Sequence, residues 1–233
     1  MNIEKFIEEL KKIDIHINDK QLKQLHEYYL LLIDWNKKIN LTRIVEEKEV
    51  YLKHFYDSLT LYKEIDLKKN YKLCDVGTGA GLPGIVLKIL FPNLDVVLID
   101  SLNKRIKFLD IVIEQLGLNK IKTIHSRMED YSKTNKEEFD IVVSRAVSHI
   151  NIITEISIPS LKIGGHLILM KANCEEEIND SKKKLELLNC KINNIDRFVL
   201  PIENSNRTII DIVKLKKTPS IYPRSIDKIK KTL

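Results

Sequence analysis

The sequence has few glycines, prolines and cysteines, and each shortage excludes a class of protein. Its 233 residues include 7 glycines, 6 prolines and 3 cysteines. Collagen-like and low-complexity chains contain far more glycine or proline. Cys74, Cys174 and Cys190 are widely spaced and form no Cys-x-x-Cys pair, so we expect reduced thiols and no metal. With 43% hydrophobic and 31% charged residues, the chain has enough material for one sizeable core and a small helical cap.

Long apolar runs are also missing. The most apolar stretch, Tyr28 to Trp35, is much shorter than the roughly 18 to 20 residues that cross a bilayer. The first residues of the chain include acidic side chains, where a secretory signal would be basic and then apolar. These observations predict a cytoplasmic protein with no membrane partner.

The positive charge is concentrated in one segment. The formal net charge of the chain is +6, and residues 214–233 contain seven Lys or Arg and one Asp, so the rest of the chain is neutral. A basic tail of this kind can be attracted to polyanions such as RNA, or it can be a solvated end that maintains solubility. The sequence leaves both interpretations open.

Residues 1–69 have the apolar spacing of helices and are predicted to form an N-terminal helical cap. Asn18 and Gln21 stand three residues apart, as in a capping box, before an apolar helical pattern that continues to Trp35. A further helix is predicted from about Glu46 to Glu64 because its apolar residues also recur with a helical period.

Residues 70–216 alternate between short apolar runs and helical patterns, which predicts a parallel sheet covered on both faces. The predicted strands of this part are Tyr71 to Val76, Asp95 to Ile99, Lys122 to His125, Phe139 to Ser144 and His166 to Met170. Two more strands, Lys191 to Leu200 and Thr208 to Leu215, are joined by a short polar turn that permits only antiparallel pairing. The predicted fold class is therefore α/β, with a mostly parallel sheet that ends in an antiparallel hairpin, followed by a basic tail at residues 217–233.

A glycine-rich loop follows the first strand and contains Gly77, Gly79 and Gly81. Glycines between a strand and a helix let the backbone turn sharply and approach a ligand, as nucleotide cofactors require. The loop also matches the G-x-G-x-x-G fingerprint of dinucleotide-binding proteins. Asp100 ends the second strand about twenty residues further on, where a carboxylate can accept hydrogen bonds from ribose hydroxyls. A helix cap is the alternative role for Asp100.

Other chemical groups follow the later strands at the same edge of the sheet. Met128 can lie against an adenine ring while the neighbouring Glu129 binds the adenine amine, although a capped helix start explains the same residues. Arg145 and Lys171 end the fourth and fifth strands, so two cations face one predicted cofactor crevice.

Two further basic positions indicate an anionic partner. Lys104 and Arg105 begin the helix after Asp100, which is unfavourable for cations because a helix N-terminus is already positive. Arg207 begins the last strand beside the polar turn, where it could also be an ordinary charge at the end of a hairpin.

The strands and side chains that the sequence lacks help to distinguish an oxidoreductase from a methyltransferase. A nicotinamide-dependent oxidoreductase would normally have another parallel strand, whereas a terminal hairpin favours, by analogy of fold, a methyltransferase that uses S-adenosylmethionine. No cysteine follows the fourth strand, where attack on a pyrimidine carbon would need one. Guanine N7 has an exposed lone pair and can accept a methyl group without losing a proton. A dinucleotide-dependent oxidoreductase and a non-catalytic RNA-binding module remain the alternatives.

Several segments together resemble a known family. These segments are Trp35 to Thr42, His54 with Asp57 and Ser58, Asp75 to Gly84, Asp100 to Arg105, Ser126 with Arg127, Ser144 to Ala146, and Lys171. In this order they are similar, over about the whole chain, to the bacterial small-subunit (16S) ribosomal RNA methyltransferase G family, once called glucose-inhibited division protein B. The chain departs from many relatives after Tyr222 to Arg224, where they continue with Gly, Pro and Asn.

The resemblance implies a class I, Rossmann-like enzyme that methylates N7 of a guanine in the decoding region of 16S ribosomal RNA, without a general base or a metal. S-adenosylmethionine would be the donor, and the cofactor residues implied by the family are Gly77, Leu82, Met128, Glu129 and Arg145. The residues implied to form a basic cluster that meets RNA are Lys104, Arg105, Arg127, Lys171 and Arg207. The expected partner is 16S ribosomal RNA, the small ribosomal subunit or an assembly intermediate of it, and we expect a monomer. No side chain is predicted to be catalytic.

Overall fold

The first part of the chain is helical in a computed structural model, which describes residues 1–145 and 147–231. Helices α1 (Ile3–Lys12) and α2 (Asp19–Ile39) begin after Asn2 and Asn18, whose side chains accept hydrogen bonds from backbone amides of the first turn. Asn18 and Gln21 form the reciprocal bonds of a capping box, as predicted.

The helix predicted from Glu46 to Glu64 is interrupted rather than regular. It consists of α3 (Glu47–Val50), a π-helical segment (Tyr51–Tyr56), α4 (Asp57–Leu59) and a 3₁₀ turn (Thr60–Lys63). The hydroxyls of Ser58 and Thr60 donate to backbone carbonyl oxygens within this stretch. Such bonds compete with the regular helical pattern, and the apolar period alone does not reveal them.

A seven-stranded sheet follows the helical part. Its strands are β1 (Lys72–Val76), β2 (Asp95–Asp100), β3 (Ile121–His125), β4 (Phe139–Arg145), β5 (Leu161–Lys171), β6 (Cys190–Val199) and β7 (Asn206–Lys214). They lie in the order β3-β2-β1-β4-β5-β7-β6. The first five strands pair in parallel, and β7 pairs antiparallel with both β5 and β6. The prediction of a mostly parallel sheet ending in an antiparallel hairpin is therefore confirmed.

Helices cover both faces of the sheet. The remaining helices are α5 (Gly84–Leu90), α6 (Asn103–Gln115), α7 (Met128–Thr134), α8 (Ile150–Ser157), a 3₁₀ turn (Ile158–Ser160), α9 (Glu175–Leu187) and α10 (Ile226–Lys230). On one face, Leu25 of α2 shares an apolar core with α5 and α6. On the other face, a second apolar core contains residues of α7, α8 and α9. The N-terminal helices thus complete one side of the central core.

The basic tail packs against the body of the protein. Arg224 forms a bidentate ion pair with the fully buried Glu155 of α8, at 2.7 and 2.8 Å, and Ile229 of α10 is also fully buried. Lys136, which precedes the amino end of β4, donates to the carbonyl oxygen of Tyr222. The described part of the tail therefore lies near the amino edge of the sheet.

Two expectations from composition can be compared with this fold. Cys74, Cys174 and Cys190 are all buried and free. Within the described residues, no helix combines the length and the apolar character that would let it cross a membrane.

Candidate active site

A crevice opens at the carboxyl ends of β1 and β4, where the strand order of the parallel sheet reverses direction. Open α/β sheets bind ligands at this position. The crevice contains a cavity of about 450 Å³, which is within the size range of small-molecule sites. Residues from three parts of the fold line it, namely Leu41, Thr42, His54, Gly77, Thr78, Gly79, Ala80, Leu82, Asp100, Ser101, Arg105, Arg145 and Val147.

The glycine loop forms one wall of the cavity, and its glycines have different roles. Gly77 and Gly79 both have positive φ angles, of 65° and 61°. A Cβ atom on Gly77 would lie 2.8 Å from a methyl group of Val147, whereas a Cβ atom on Gly79 would meet nothing closer than 3.9 Å. Gly81 and Gly84 allow close packing. A Cβ atom on Gly81 would lie 2.5 Å from Ile85, and a Cβ atom on Gly84 would lie 2.4 Å from a methyl group of Leu98. The last glycine of the G-x-G-x-x-G pattern therefore serves helix packing.

Asp75 holds the two ends of the loop together from beneath. It is fully buried, and its Oδ2 accepts hydrogen bonds from the Thr78 hydroxyl at 2.7 Å and from the Gly84 amide at 2.8 Å. Its Oδ1 has no hydrogen-bond partner among the described residues. Burial raises the pKa of Asp75 to about 6, although both hydrogen bonds favour the carboxylate.

Asp100 contacts both the glycine loop and the segment that leads into α6. It is 2% exposed, and Oδ2 accepts from the Gly79 amide at 2.9 Å and from Arg105 at 3.1 Å. Oδ1 accepts from the amide of Leu102, the residue before α6, so the bond forms a turn ahead of the helix and the expected side-chain cap on α6 is not formed. The carboxylate also lines the cavity. It therefore fixes the loop and the following helix, and its bond to a ribose stays a prediction.

Arg145 is half-buried and lines the cavity, and its guanidinium is engaged by the helical cap. Its guanidinium contacts the Lys53 carbonyl oxygen at 3.1 Å and the Asp57 carboxylate at 3.5 Å. Arg207 of β7 approaches the same carboxylate at 3.0 Å. Burial lowers the pKa of Arg145 and raises that of Asp57, while their pairing opposes both shifts.

The helical cap contributes two side chains to the cavity, Thr42 and His54, to which no role could be assigned from the sequence. Nε2 of His54 lies 2.9 Å from the Thr42 hydroxyl oxygen, and Nδ1 lies 3.5 Å from the Arg145 guanidinium. The side chain of Asn36 accepts a hydrogen bond from the Thr42 amide. Burial, and then the nearby Arg145, lower the pKa of His54 to about 4, so the ring is neutral at physiological pH.

The other predicted cofactor residues are divided between the cavity and its surroundings. Leu82 lines the cavity at the end of the glycine loop. Met128 is buried at the start of α7, and Glu129 follows it, but neither belongs to the lining of the cavity. Their proposed contact with adenine stays a prediction. Ala146, which completes the Ser144 to Ala146 segment, lies outside the described residues.

The predicted RNA-binding cations differ in how strongly they are engaged within the protein. Lys104 is exposed, and the Arg127 side chain is 65% exposed with Glu129 at 3.7 Å. Arg105 is paired with Asp100, while Arg207 is paired with Asp57. Lys171 donates to Glu177 at 2.6 Å and to the Ser148 carbonyl oxygen. Lys104 and Arg127 are thus the most accessible members of the predicted set.

The cavity suits an adenosyl cofactor on its own geometry. The glycine loop gives a close approach to backbone, and Asp100 supplies a carboxylate at the wall. Beneath the loop and outside the lining, Asp75 has one buried acceptor atom with no partner among the described residues. In residues 1–145 and 147–231, no group of three or more His, Cys, Asp or Glu side chains is arranged to hold a metal ion.

Comparison with known proteins gives a consistent result at the level of family and fold. A family model described as rRNA small subunit methyltransferase G matches residues 21–209. The chain is 45% identical over 227 residues to a Bacillus subtilis protein named ribosomal RNA small subunit methyltransferase G, covering 96% of this chain and 95% of that protein. A protein of the same name from Listeria monocytogenes is 44% identical with the same coverage.

Solved structures of lower sequence identity have the same fold. A SAM-dependent O-methyltransferase from Thermotoga maritima aligns with a TM-score of 0.54 at 17% identity, covering 81% of this chain and 72% of that one. TYW2 from M. jannaschii, solved in complex with AdoMet, also aligns with a TM-score of 0.54 at 17% identity, covering 68% and 77% of the two chains. The predicted class I fold is thereby confirmed.

Proposed function

Because the chain belongs to the rRNA small subunit methyltransferase G family, we propose that it transfers the methyl group of S-adenosylmethionine to N7 of a guanine in 16S ribosomal RNA. The observation that carries this proposal is the crevice between β1 and β4, where the glycine loop and Asp100 meet. The matched relatives give no support to an oxidoreductase or to a non-catalytic RNA-binding module.

The residues of the crevice would hold the cofactor by backbone contact and by charge. Gly77 and Gly79 let the loop approach the ligand, Leu82 offers an apolar surface, and Asp100 has the chemistry to bind ribose hydroxyls. When bound, S-adenosylmethionine supplies an electrophilic methyl group on a sulfonium. The protein's contribution is to exclude water from the crevice and to orient the base.

The reaction at guanine N7 requires no proton acceptor, because the attacking lone pair carries no proton. The titratable side chains in the described lining of the cavity agree with this requirement. His54 is neutral and has a pKa of about 4, which makes it a weak base, and both oxygens of Asp100 already accept hydrogen bonds. Alignment of the reacting atoms can lower such a barrier by up to about 7 to 11 kcal/mol.

We place the RNA at the rim of this crevice. Lys104 and Arg127 are accessible cations at this edge of the sheet and would contact phosphates without giving up a strong internal partner. Arg105, Lys171 and Arg207 are engaged in ion pairs, so they would have to exchange those partners for phosphate. A monomer acting in the cytoplasm, on free RNA, a subunit or an assembly intermediate, is consistent with this arrangement.

The test is to map the methylation of 16S RNA by mass spectrometry. RNA from a strain that lacks the gene is expected to miss one methyl group on a single guanine. The purified protein and S-adenosylmethionine should restore that group, whereas the Gly77→Val variant should not. A restored methyl group on another atom, or no difference between the two RNAs, would refute the assignment.

A further inference from the structure

A short hydrogen-bonded chain joins three residues that line the cavity, Arg145, His54 and Thr42. Arg145 contacts Nδ1 of His54 at 3.5 Å, and Nε2 of His54 contacts the Thr42 hydroxyl oxygen at 2.9 Å. The same hydroxyl oxygen accepts a hydrogen bond from the Ile44 amide at 3.0 Å. His54 is held within the π-helical segment, a type of distortion that is frequent at functional sites.

The neighbours of His54 determine which ring nitrogen carries the proton. A guanidinium can only donate, so we assign Nδ1, which faces Arg145 at 3.5 Å, as the acceptor, although the backbone of Lys53 competes for a ring proton. The neutral ring then carries its proton on Nε2 and donates it to Thr42. Burial and the nearby arginine keep the pKa of His54 at about 4, so the ring does not gain a second proton near pH 7.

This arrangement fixes the hydrogen-bonding character of the Thr42 hydroxyl. Its oxygen has two lone pairs, and the donors His54 and Ile44 use both of them. What remains is the O–H group, which finds no acceptor in residues 1–145 and 147–231. Thr42 is only partly buried and lines the same cavity as the glycine loop and Asp100. The cavity therefore contains a hydroxyl that can act as a donor and not as an acceptor.

We propose that the Thr42 hydroxyl donates a hydrogen bond to O6 of the target guanine and thereby selects guanine over adenine. This proposal rests on the function proposed above. On the edge of the base that carries N7, guanine presents O6, an acceptor, whereas adenine presents its N6 amine, a donor. Adenine would place a donor against a donor, and the hydroxyl could not adapt because both of its lone pairs are used. His54 and Arg145 act as positioning residues for Thr42.

The main competing acceptor is the carboxylate of the cofactor's methionine part. A single neutral hydroxyl is a weak partner for an anion, and hydrogen bonds to carboxylates are strongest from charged donors. Thr42 also belongs to the helical cap, a different part of the fold from the glycine loop that would carry the cofactor. These two observations favour the base, and the experiment below separates the two partners.

The experiment combines a protein variant with a modified RNA. The guanine identified by mass mapping is replaced by 2-aminopurine, which keeps N7 and lacks O6. The Thr42→Val variant is expected to methylate normal RNA with a roughly tenfold lower kcat/KM, on the scale of one hydrogen bond. Wild-type protein should show a similar loss of kcat/KM when normal RNA is replaced by 2-aminopurine RNA. The Thr42→Val variant should have the same kcat/KM on both RNAs. Additive losses would overturn the proposal.

Further measurements exclude a merely structural role. Thr42→Ser should retain the selectivity, and Thr42→Val should accept an adenine at the target position relatively better than wild type does. Thr123→Val is the matched control, because Thr123 donates to Asp110 on the edge strand β3, away from the cavity. It should methylate normal RNA like wild type.

Two results would overturn the proposal while leaving the proposed function intact. A marked loss of S-adenosylmethionine affinity in Thr42→Val, measured by calorimetry, would assign the hydroxyl to the cofactor. Nitrogen-15 NMR that finds the His54 proton on Nδ1 would also overturn it. In that tautomer Thr42 donates to Nε2 of His54 and offers the base only an acceptor. Failure of the wild-type protein to methylate guanine N7 at all would instead refute the function, so the two failures are distinguishable.

Discussion

At the scale of single residues, Asp75 joins the stability of the protein to the geometry of its cofactor loop. Its carboxylate fixes Thr78 and Gly84, yet it is fully buried and one of its oxygens is unpaired within the described structure. Its pKa of about 6, against an ordinary value of 3.8, means that the folded protein binds a proton here more tightly than the unfolded chain. The ionised group therefore destabilises the fold by about 3 kcal/mol above pH 6, and this cost vanishes as the pH falls below about 4.

We expect Asp75→Asn to stabilise the protein, and to do so more at high pH than at low pH. The asparagine oxygen can still accept from Thr78 and Gly84, while the buried charge is removed. The gain in the free energy of unfolding over wild type, measured with urea, should be larger at pH 8 than at pH 5 by about 1 to 2 kcal/mol. His54, whose lowered pKa gives the opposite pH dependence, is present in both proteins and cancels in the comparison. A difference that does not change with pH would contradict this reasoning.

Gly77 tests the loop at the same scale. We expect Gly77→Ala to reduce the affinity for S-adenosylmethionine strongly, because the new Cβ would lie 2.8 Å from Val147, which lines the cavity. Gly117→Ala is the control, since Gly117 has a similar φ of 60° and no atom within 4 Å of the added Cβ. Both variants carry backbone strain of about 1 to 2 kcal/mol, and calorimetry should find a loss of affinity only in the first. Equal affinities would contradict the prediction, because they would show that the cofactor loop tolerates a Cβ atom at position 77.

At the scale of elements, the helical cap holds the cofactor loop in place. The hydroxyl of Tyr28, in α2, donates to the Ala80 carbonyl oxygen at 2.5 Å, and its ring stacks on Phe55 of the π-helical segment. Tyr51 packs on the same Phe55, but its buried hydroxyl has no hydrogen-bond partner among the described residues. The two tyrosines therefore differ mainly in whether the hydroxyl is bonded.

This difference gives a matched pair of substitutions. Tyr28→Phe should lower the free energy of unfolding by about 1 to 2 kcal/mol and weaken cofactor binding, because the Ala80 carbonyl loses its donor. Tyr51→Phe should be neutral or slightly stabilising, since it removes an unpaired polar atom from a buried position. Urea denaturation and calorimetry with S-adenosylmethionine measure both effects. A loss in Tyr51→Phe as large as that in Tyr28→Phe would show that the hydroxyl bond is not what matters.

The elements also show which parts of the site could be predicted from the sequence. The glycine loop and Asp100 could be placed because strand ends and the following turns are close together in sequence. Thr42, His54 and Asp57 could not be placed, because the first two reach the crevice, and Asp57 reaches Arg145, only through packing of the helical cap on the sheet. The available signal was the family resemblance, whose segments include all three residues without giving them a role.

At the scale of the whole molecule, the positive charges are separated between two edges of the sheet. Lys104 and Arg127 lie beside the crevice at the carboxyl edge, whereas Arg224 and Tyr222 tie the described tail near the amino edge. The sequence left open whether the tail contacts RNA or is a solvated end. The described tail packs on α8, so it is not simply a solvated end. Arg224 is paired with Glu155, so its charge is already used within the protein.

The separation predicts how RNA binding depends on salt. The log of the RNA-binding constant falls linearly with the log of the salt concentration. Each lost phosphate contact makes this negative slope shallower by about 0.7 to 0.9. The double substitution Lys104→Gln and Arg127→Gln should therefore make the slope shallower by about 1.5. Replacing the exposed tail residues Lys228, Lys230 and Lys231 with Gln should leave it unchanged, although it removes more charge. Substitution is a better test than truncation, because truncation would also remove the buried Ile229. If the tail variant makes the slope shallower and the rim variant does not, the RNA must cross the amino edge of the sheet, and the site of phosphate binding proposed here is wrong.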